Sequence, residues 1–105
     1  MGHARPKPER LAEKLLAIRA ALGISQPELH RRLGVEHLIA YHVISKYELG
    51  RNEPPLMIVL EYARLANVYV EVLIDDELDL PDNLPSPTKS EGVRRGASRP
   101  QGKKR

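Results

Sequence analysis

Three glycines placed at short intervals constrain the fold of this chain more than any other feature. Gly23, Gly34 and Gly50 each follow a segment whose apolar residues recur at helical spacing. Because glycine adopts a left-handed conformation at little cost, it commonly ends a helix. The spacing therefore predicts a series of short helices.

The first two predicted helices are well delimited. The first covers residues 9–22, with one apolar face formed by Leu11, Leu15, Ile18 and Leu22. The second starts at Ser25, which forms a Ser-x-x-Glu capping box with Glu28, and it runs to Leu33. Two short helices separated by so little chain are expected to cross sharply.

Three further helices are predicted. One runs from about Tyr41 to Leu49, and another runs from Leu56 to Ala66 after the turn at Pro54 and Pro55. The inner face of the Leu56–Ala66 helix is predicted to comprise Leu56, Val59, Leu60 and Ala63. Residues 68–74 are rich in β-branched side chains, which favours a strand. We expect a helix over residues 69–77, because a lone strand has no pairing partner except a second copy.

The 105 residues are sufficient for one domain. Residues 1–8 are predicted to form a flexible basic arm, and residues 9–80 to form the folded domain. Residues 81–105 consist largely of Pro, Gly, Ser and basic residues. Such a segment cannot bury an apolar core, so we expect a disordered basic tail.

Charge is distributed unevenly. Residues 1–52 contain nine Lys or Arg and five Glu, a net charge of +4. Residues 53–88 contain one Arg and eight acidic residues (−7), and residues 89–105 contain seven basic residues and one Glu (+6). This arrangement suits a polyanionic partner that meets one face of the protein, although it is also typical of a solvated surface.

Several functional classes fit the sequence poorly. The absence of Cys excludes disulfides and thiolate metal sites, and the four His residues lack metal-site spacing. No motif frames a nucleophile. We therefore expect no enzymatic activity, no cofactor and no metal. No apolar run approaches the about 20 residues that span a bilayer, and the N-terminus lacks a secretory signal, so we expect a cytoplasmic protein.

Four segments together resemble the Cro and phage-repressor family of helix-turn-helix proteins. These segments are ISQPELHRRLGV (24–35), ISKYELGRNEPP (44–55), EYARLANV (61–68) and VEVLIDDEL (70–78), and the resemblance covers about Leu11 to Glu77. It implies an all-α, compact five-helix domain that reads duplex DNA with the second helix of the motif, often as a dimer. The implied function is that of a bacterial or phage transcriptional regulator. We expect a repressor that is associated with the nucleoid.

The resemblance also implies site residues. Tyr41, His42, Ser45 and Lys46 match base-facing positions, and Lys46 suits guanine O6 or N7. Gln26, Arg51 and Asn52 match positions that contact phosphates. Glu48 is assigned to an intramolecular ion pair or cap, because DNA repels a carboxylate.

One departure from the family pattern affects these assignments. The segment between Val35 and Ile44 is about four residues longer than the family pattern. Either the turn is longer, or the recognition helix gains a turn at its start.

Two alternatives remain open. The basic tail suits an antitoxin whose tail folds on a toxin, but it contains almost no apolar residues to insert into such a partner. A protein-interaction module that has lost DNA binding would fit the longer turn and the acidic strip over residues 53–82. Spare apolar residues around Met57, Ile58 and 68–73 favour a homodimer.

Overall fold

The computed structural model describes residues 7–96, which form a small, mostly helical domain. Its helices are α1 (Leu11–Leu22), α2 (Gln26–Leu33), α3 (Val43–Glu48), α4 (Leu56–Ala66) and α5 (Val70–Ile74). Two short antiparallel strands follow, β1 (Leu78–Asp79) and β2 (Val93–Arg94), with Leu78 opposite Arg94. Within residues 7–96, no helix combines the length and the apolar character needed to cross a membrane.

The predicted helix ends are confirmed where local signals encode them. Gly23 and Gly34 end α1 and α2 in the left-handed conformation, with φ angles of 68° and 71°. The Ser25 hydroxyl accepts the backbone N–H of Glu28 at 3.2 Å, as expected of an N-cap. The carboxylate of Glu28 pairs with Arg31 and Arg32 on the same helix.

The core consists of aliphatic side chains and two tyrosines. Tyr62 on α4 lies at its centre and is fully buried. The predicted inner face of α4 is partly wrong: Val59 and Ala63 are buried, but Leu56 is 78% exposed. Because α4 begins only at Leu56, its first residue projects beyond the core. The buried face comprises Ile58, Val59, Tyr62, Ala63 and Ala66.

The helix predicted over residues 69–77 is confirmed but is shorter, Val70–Ile74. Val72 and Leu73 are buried in the core. The helix is held at its C-terminal end by Lys14 of α1, whose ammonium donates to the carbonyl oxygens of Val72 at 2.8 Å and Asp75 at 3.0 Å. Burial lowers the pKa of Lys14, yet these two acceptors satisfy two of its three N–H groups.

A second contact joins the start of α1 to the chain after α5. The Asp76 carboxylate accepts the backbone N–H groups of Glu9 and Arg10, and these bonds lower the pKa of Asp76. The Arg10 guanidinium donates to the Asp76 carbonyl at 2.8 Å and to the Asp79 carboxylate. The two residues that lead into α1 are therefore anchored by a residue 66 positions away from Arg10.

The prediction of disorder from residue 81 is wrong for residues 81–96, which we call the C-terminal strap. The strap returns along α4 and α5: Ser86 N–H donates to Ala66 O at 2.9 Å, and Tyr69 N–H donates to Ser90 O at 2.9 Å. Asn67 donates its side-chain amide to Ser86 O at 2.6 Å. These bonds satisfy backbone groups at the junction of α4 and α5. Leu84 also packs against the core and β2 pairs with β1, so a segment with few apolar residues is ordered. The remaining predicted tail, residues 97–105, and residues 1–6 of the predicted arm lie outside the described residues.

Replacing Gly92 with Ala should test the packing of the strap. Gly92 has a φ angle of 80°, and a Cβ there would lie 2.8 Å from Asp79 O and 3.0 Å from Val72 Cγ2. We expect a loss of about 2–4 kcal/mol in the free energy of unfolding, from strain and overpacking together. Urea denaturation measures this loss.

Gly96→Ala is the matched control, because Gly96 has a φ angle of 79° and nothing within 4 Å of the added Cβ. Its free energy of unfolding should fall only by the cost of placing alanine in a left-handed backbone conformation, about 1–2 kcal/mol. Equal losses in the two variants would contradict a packed strap.

Replacing Tyr62 with Phe should leave the protein as stable at pH 7 or more stable, by up to about 1 kcal/mol. Within the described residues, the buried Tyr62 hydroxyl has no hydrogen-bond partner, so its removal relieves an unsatisfied group. Burial also raises the pKa of Tyr62 above its ordinary value of 10.0. Above pH 10 the unfolded chain therefore releases a proton that the folded chain retains, and stability falls as pH rises.

Urea titrations of wild type and Tyr62→Phe between pH 7 and 11 measure this difference. The variant should lose less stability than wild type above pH 10. Tyr69→Phe, at an exposed ring, is the control for loss of a hydroxyl at pH 7. A marked loss of stability for Tyr62→Phe at pH 7 would show that the hydroxyl is hydrogen-bonded.

Candidate nucleic-acid interface

Helix α3 presents two different faces. Ile44 and Tyr47 are buried in the core where α3 packs against α1 and α2. On the opposite side, His42, Lys46 and Leu49 are exposed and Ser45 is half-buried. These four positions share one side of a helix, because they are separated by three or four residues.

The longer segment after Val35 is resolved as a longer turn, since α3 begins only at Val43. The segment consists of two successive tight turns. In the first, Leu38 and Ile39 donate their backbone N–H groups to Val35 O, at 2.9 and 3.1 Å. In the second, Val43 N–H donates to Ala40 O at 3.1 Å and leads directly into α3.

The residues predicted to face bases do lie together at the surface. Tyr41 and His42 are exposed immediately before α3, with their rings edge to face at a centroid distance of 6.3 Å. Lys46 is exposed one turn later, and Ser45 between them is only partly accessible. Three of the four side chains are thus freely available to a partner that approaches α3.

The residues predicted to contact phosphates occupy two different environments. Arg51 and Asn52 are exposed just after α3, and both donate their backbone N–H groups to Lys46 O, at 2.9 and 3.3 Å. This turn holds the two side chains close to the end of the exposed face of α3. Gln26 is half-buried, and its side-chain amide donates to Glu48 Oε1 at 3.1 Å.

The start of α2 is also less open to an anion than the sequence suggests. Pro27 has no N–H, and the N–H of Glu28 is already bonded to Ser25 Oγ. Two of the first three backbone positions therefore offer no free donor. Any phosphate contact there must rely on Gln26.

Glu48 is the centre of a polar cluster that joins three helices. Arg19 of α1 donates to both of its carboxylate oxygens, at 2.7 and 3.0 Å, and Gln26 of α2 donates to one of them. Arg19 also donates to Ile24 O at 3.1 Å, and its bond to Glu48 raises the pKa of Arg19. The assignment of Glu48 to an intramolecular ion pair is confirmed.

The sequence alone did not identify Arg19 and Gln26 as the partners of Glu48. Arg19 lies 29 positions before Glu48 and Gln26 lies 22 positions before it, so no local spacing links them. The available signal was the acidic side chain itself, placed four residues after Ile44 and therefore on the same side of α3 as that buried residue.

Charge at the exposed face of α3 is positive. Lys46 and Arg51 are both exposed there, whereas Glu48 is neutralised beneath the surface. Exposed acidic side chains flank this surface at Glu36, in the turn before α3, and at Glu53, directly after Asn52, and a further acidic group lies at the end of α5, at residues 75–77. In residues 7–96, no three His, Asp or Glu side chains converge as a metal site would require.

Comparison of the chain with models of known protein families, with curated proteins and with solved structures finds no match. The functional interpretation therefore depends on the residues and geometry described above.

The Arg19–Glu48 pair should show strong energetic coupling in a double-mutant cycle with Arg19→Met and Glu48→Gln. The two side chains are only 23% and 4% exposed and form two charge-assisted bonds. We expect a coupling of about 1–3 kcal/mol in the free energy of unfolding, measured by urea denaturation.

The exposed pair Arg64–Glu61 on α4 is the matched control, with one bond of 3.0 Å and side-chain exposures of 63% and 30%. Its coupling in the corresponding cycle should be below about 0.5 kcal/mol. If both couplings were equally small, Glu48 would not join the three helices.

Proposed function

We propose that this protein binds double-stranded DNA sequence-specifically and regulates transcription, with α2 and α3 as a helix-turn-helix. In this proposal α3 enters the major groove, and the protein acts as a repressor in the cytoplasm, on the nucleoid. Its activity is binding alone, without catalysis.

The observation that carries the proposal is the outward face of α3. A short helix with a buried apolar back presents His42, Ser45 and Lys46 together, and Tyr41 extends the same surface. A major groove accommodates one α-helix, and its base edges offer acceptors, donors and thymine methyl groups. Lys46 suits guanine, and the hydroxyl and imidazole groups suit either donors or acceptors.

Phosphate contacts follow from the chain that flanks α3. Arg51 and Asn52 lie in the turn that folds back on Lys46 O, at the end of the exposed face. Such contacts fix the register of a protein on the duplex but do not read sequence. Gln26 would add a further phosphate contact only if its side-chain amide bound phosphate while it remained bonded to Glu48.

A homodimer is part of the proposal. α3 has six residues and offers few side chains to bases, so one copy reads a short site. Two copies bound to a two-fold-symmetric site double the number of base pairs that are recognised. Of the apolar residues on which the sequence based a dimer, Ile58, Val68, Val72 and Leu73 are buried in the core. Met57 is 59% exposed and, with Leu56 at 78%, provides apolar surface for such a contact.

The antitoxin alternative is weakened by the strap. That hypothesis rested on an unfolded segment from about Ser86, but Ser86 and Ser90 are hydrogen-bonded to the junction of α4 and α5. The interaction-module alternative retains support from the exposed Leu56 and Met57.

Lys46→Ala should reduce the affinity of the protein for its preferred duplex by about fivefold to 150-fold, because a base-edge contact is worth about 1–3 kcal/mol. Fluorescence anisotropy at two salt concentrations measures the effect. Affinity should also fall as salt rises, since bound phosphates release counterions.

Arg64→Ala is the control for the loss of one exposed positive charge, because Arg64 lies on α4 and pairs with Glu61. It should change affinity by less than about twofold at moderate salt. Equal effects of the two variants would refute the site. If wild type bound no duplex at either salt concentration, the interaction module would replace the proposal.

A further inference from the structure

We infer that the turn between α2 and α3 is a second reading element, in which Leu38 contacts a thymine methyl group beside the bases read by α3 and His30 holds Leu38 in place. This inference rests on the proposed function. It assigns a specificity role to Leu38, in the turn between α2 and α3, and a positioning role to His30 of α2.

The turn is a structured element. Val35 at its start is buried, and Ile39 in its middle packs against the core. Leu38 and Ile39 both bond to Val35 O, so the backbone on either side of Leu38 is fixed. A connection held at two apolar points presents its remaining side chains outward in one arrangement.

His30 provides the third attachment of the turn. Its Nε2 donates to Ile39 O at 2.6 Å, across nine positions of the chain. The bonded carbonyl belongs to the residue that directly follows Leu38. Loss of this bond would release the segment that carries Leu38, so His30 is a positioning residue.

Leu38 is the apolar side chain that this arrangement exposes. It is 57% exposed, whereas Val35, three residues earlier, is buried and Ile39, the next residue, is partly buried against the core. Ile39, and not Leu38, is the residue of this turn that packs against the core. Its outward placement therefore leaves a branched apolar group at the surface that leads into Tyr41 and His42.

The distance to α3 fits a flanking base contact. Leu38 lies four residues before His42, a span of at most about 14 Å. Base pairs rise by about 3.4 Å, so Leu38 reaches within about four base pairs of the position read by His42. In the major groove, the apolar group that an aliphatic side chain can recognise is the C5-methyl of thymine.

The test combines selection with a change of one methyl group in DNA. Sites are first selected from random duplexes with wild type and with Leu38→Ala, and we expect one thymine preference to be lost in the variant. That thymine is then replaced by deoxyuridine, which differs only in lacking the methyl group. Wild type should lose about fourfold in affinity, the contribution of one buried methyl, and Leu38→Ala should lose nothing further.

His30 is tested by rescue. His30→Ala should weaken the same thymine preference, and His30→Gln should restore it, because the Gln side-chain amide can donate to Ile39 O. Leu16→Ala, at another exposed leucine, is the control and should select the wild-type motif.

The outcomes separate the two proposals. If wild type selects a motif in which no thymine depends on Leu38, the inference is overturned and sequence-specific DNA binding stands. If deoxyuridine weakens wild type and Leu38→Ala equally, the methyl contact belongs to another residue, and the inference is again overturned. If wild type selects no motif at all, the proposed function fails together with the inference.

Discussion

The carboxylate of Glu48 is the point at which α1, α2 and α3 are joined. Its two oxygens accept three side-chain hydrogen bonds, two from Arg19 and one from Gln26. A nearly buried carboxylate is costly unless it is paired and hydrogen-bonded, and these donors supply that pairing. The orientation of the exposed face of α3 is therefore set by a polar cluster behind it, together with the apolar contacts of Ile44 and Tyr47.

The opposite side of the domain is held by contacts to backbone groups. Lys14 of α1 and Arg10, which directly precedes α1, donate to carbonyl oxygens around the end of α5, and the Asp76 carboxylate accepts the backbone N–H of Arg10 in return. The strap satisfies the groups between α4 and α5. Helix ends that would otherwise leave polar groups unbonded are thus completed from distant parts of the chain. As a result, α1 contacts both the helix proposed to read DNA and the end of α5.

The sequence predicted elements whose limits are encoded locally. Ser25, Gly34 and Pro55 define the ends of α2 and the start of α4, because caps and prolines act within a few residues. The exposed position of His42 and Lys46 also followed from apolar spacing around Ile44 and Tyr47. What the sequence could not predict depends on contacts between distant residues. The strap was missed because backbone hydrogen bonds to Ala66 and Tyr69 leave no apolar pattern. The bond of Gln26 to Glu48 was missed because it spans 22 positions, whereas the assignment of Gln26 to phosphate rests on the family resemblance and stays a prediction.

The most direct measurement is a titration of isotopically labelled protein with its selected duplex, followed by backbone amide chemical shifts. The account predicts that the largest changes fall on residues 37–52, from the turn before α3 to Asn52, with smaller changes near Gln26. The amides of α5 and of the strap next to Ser90 should change little unless a dimer contact covers them. Shifts concentrated on α5 and the strap, with α3 unaffected, would contradict the central claim that α3 is the surface that binds DNA.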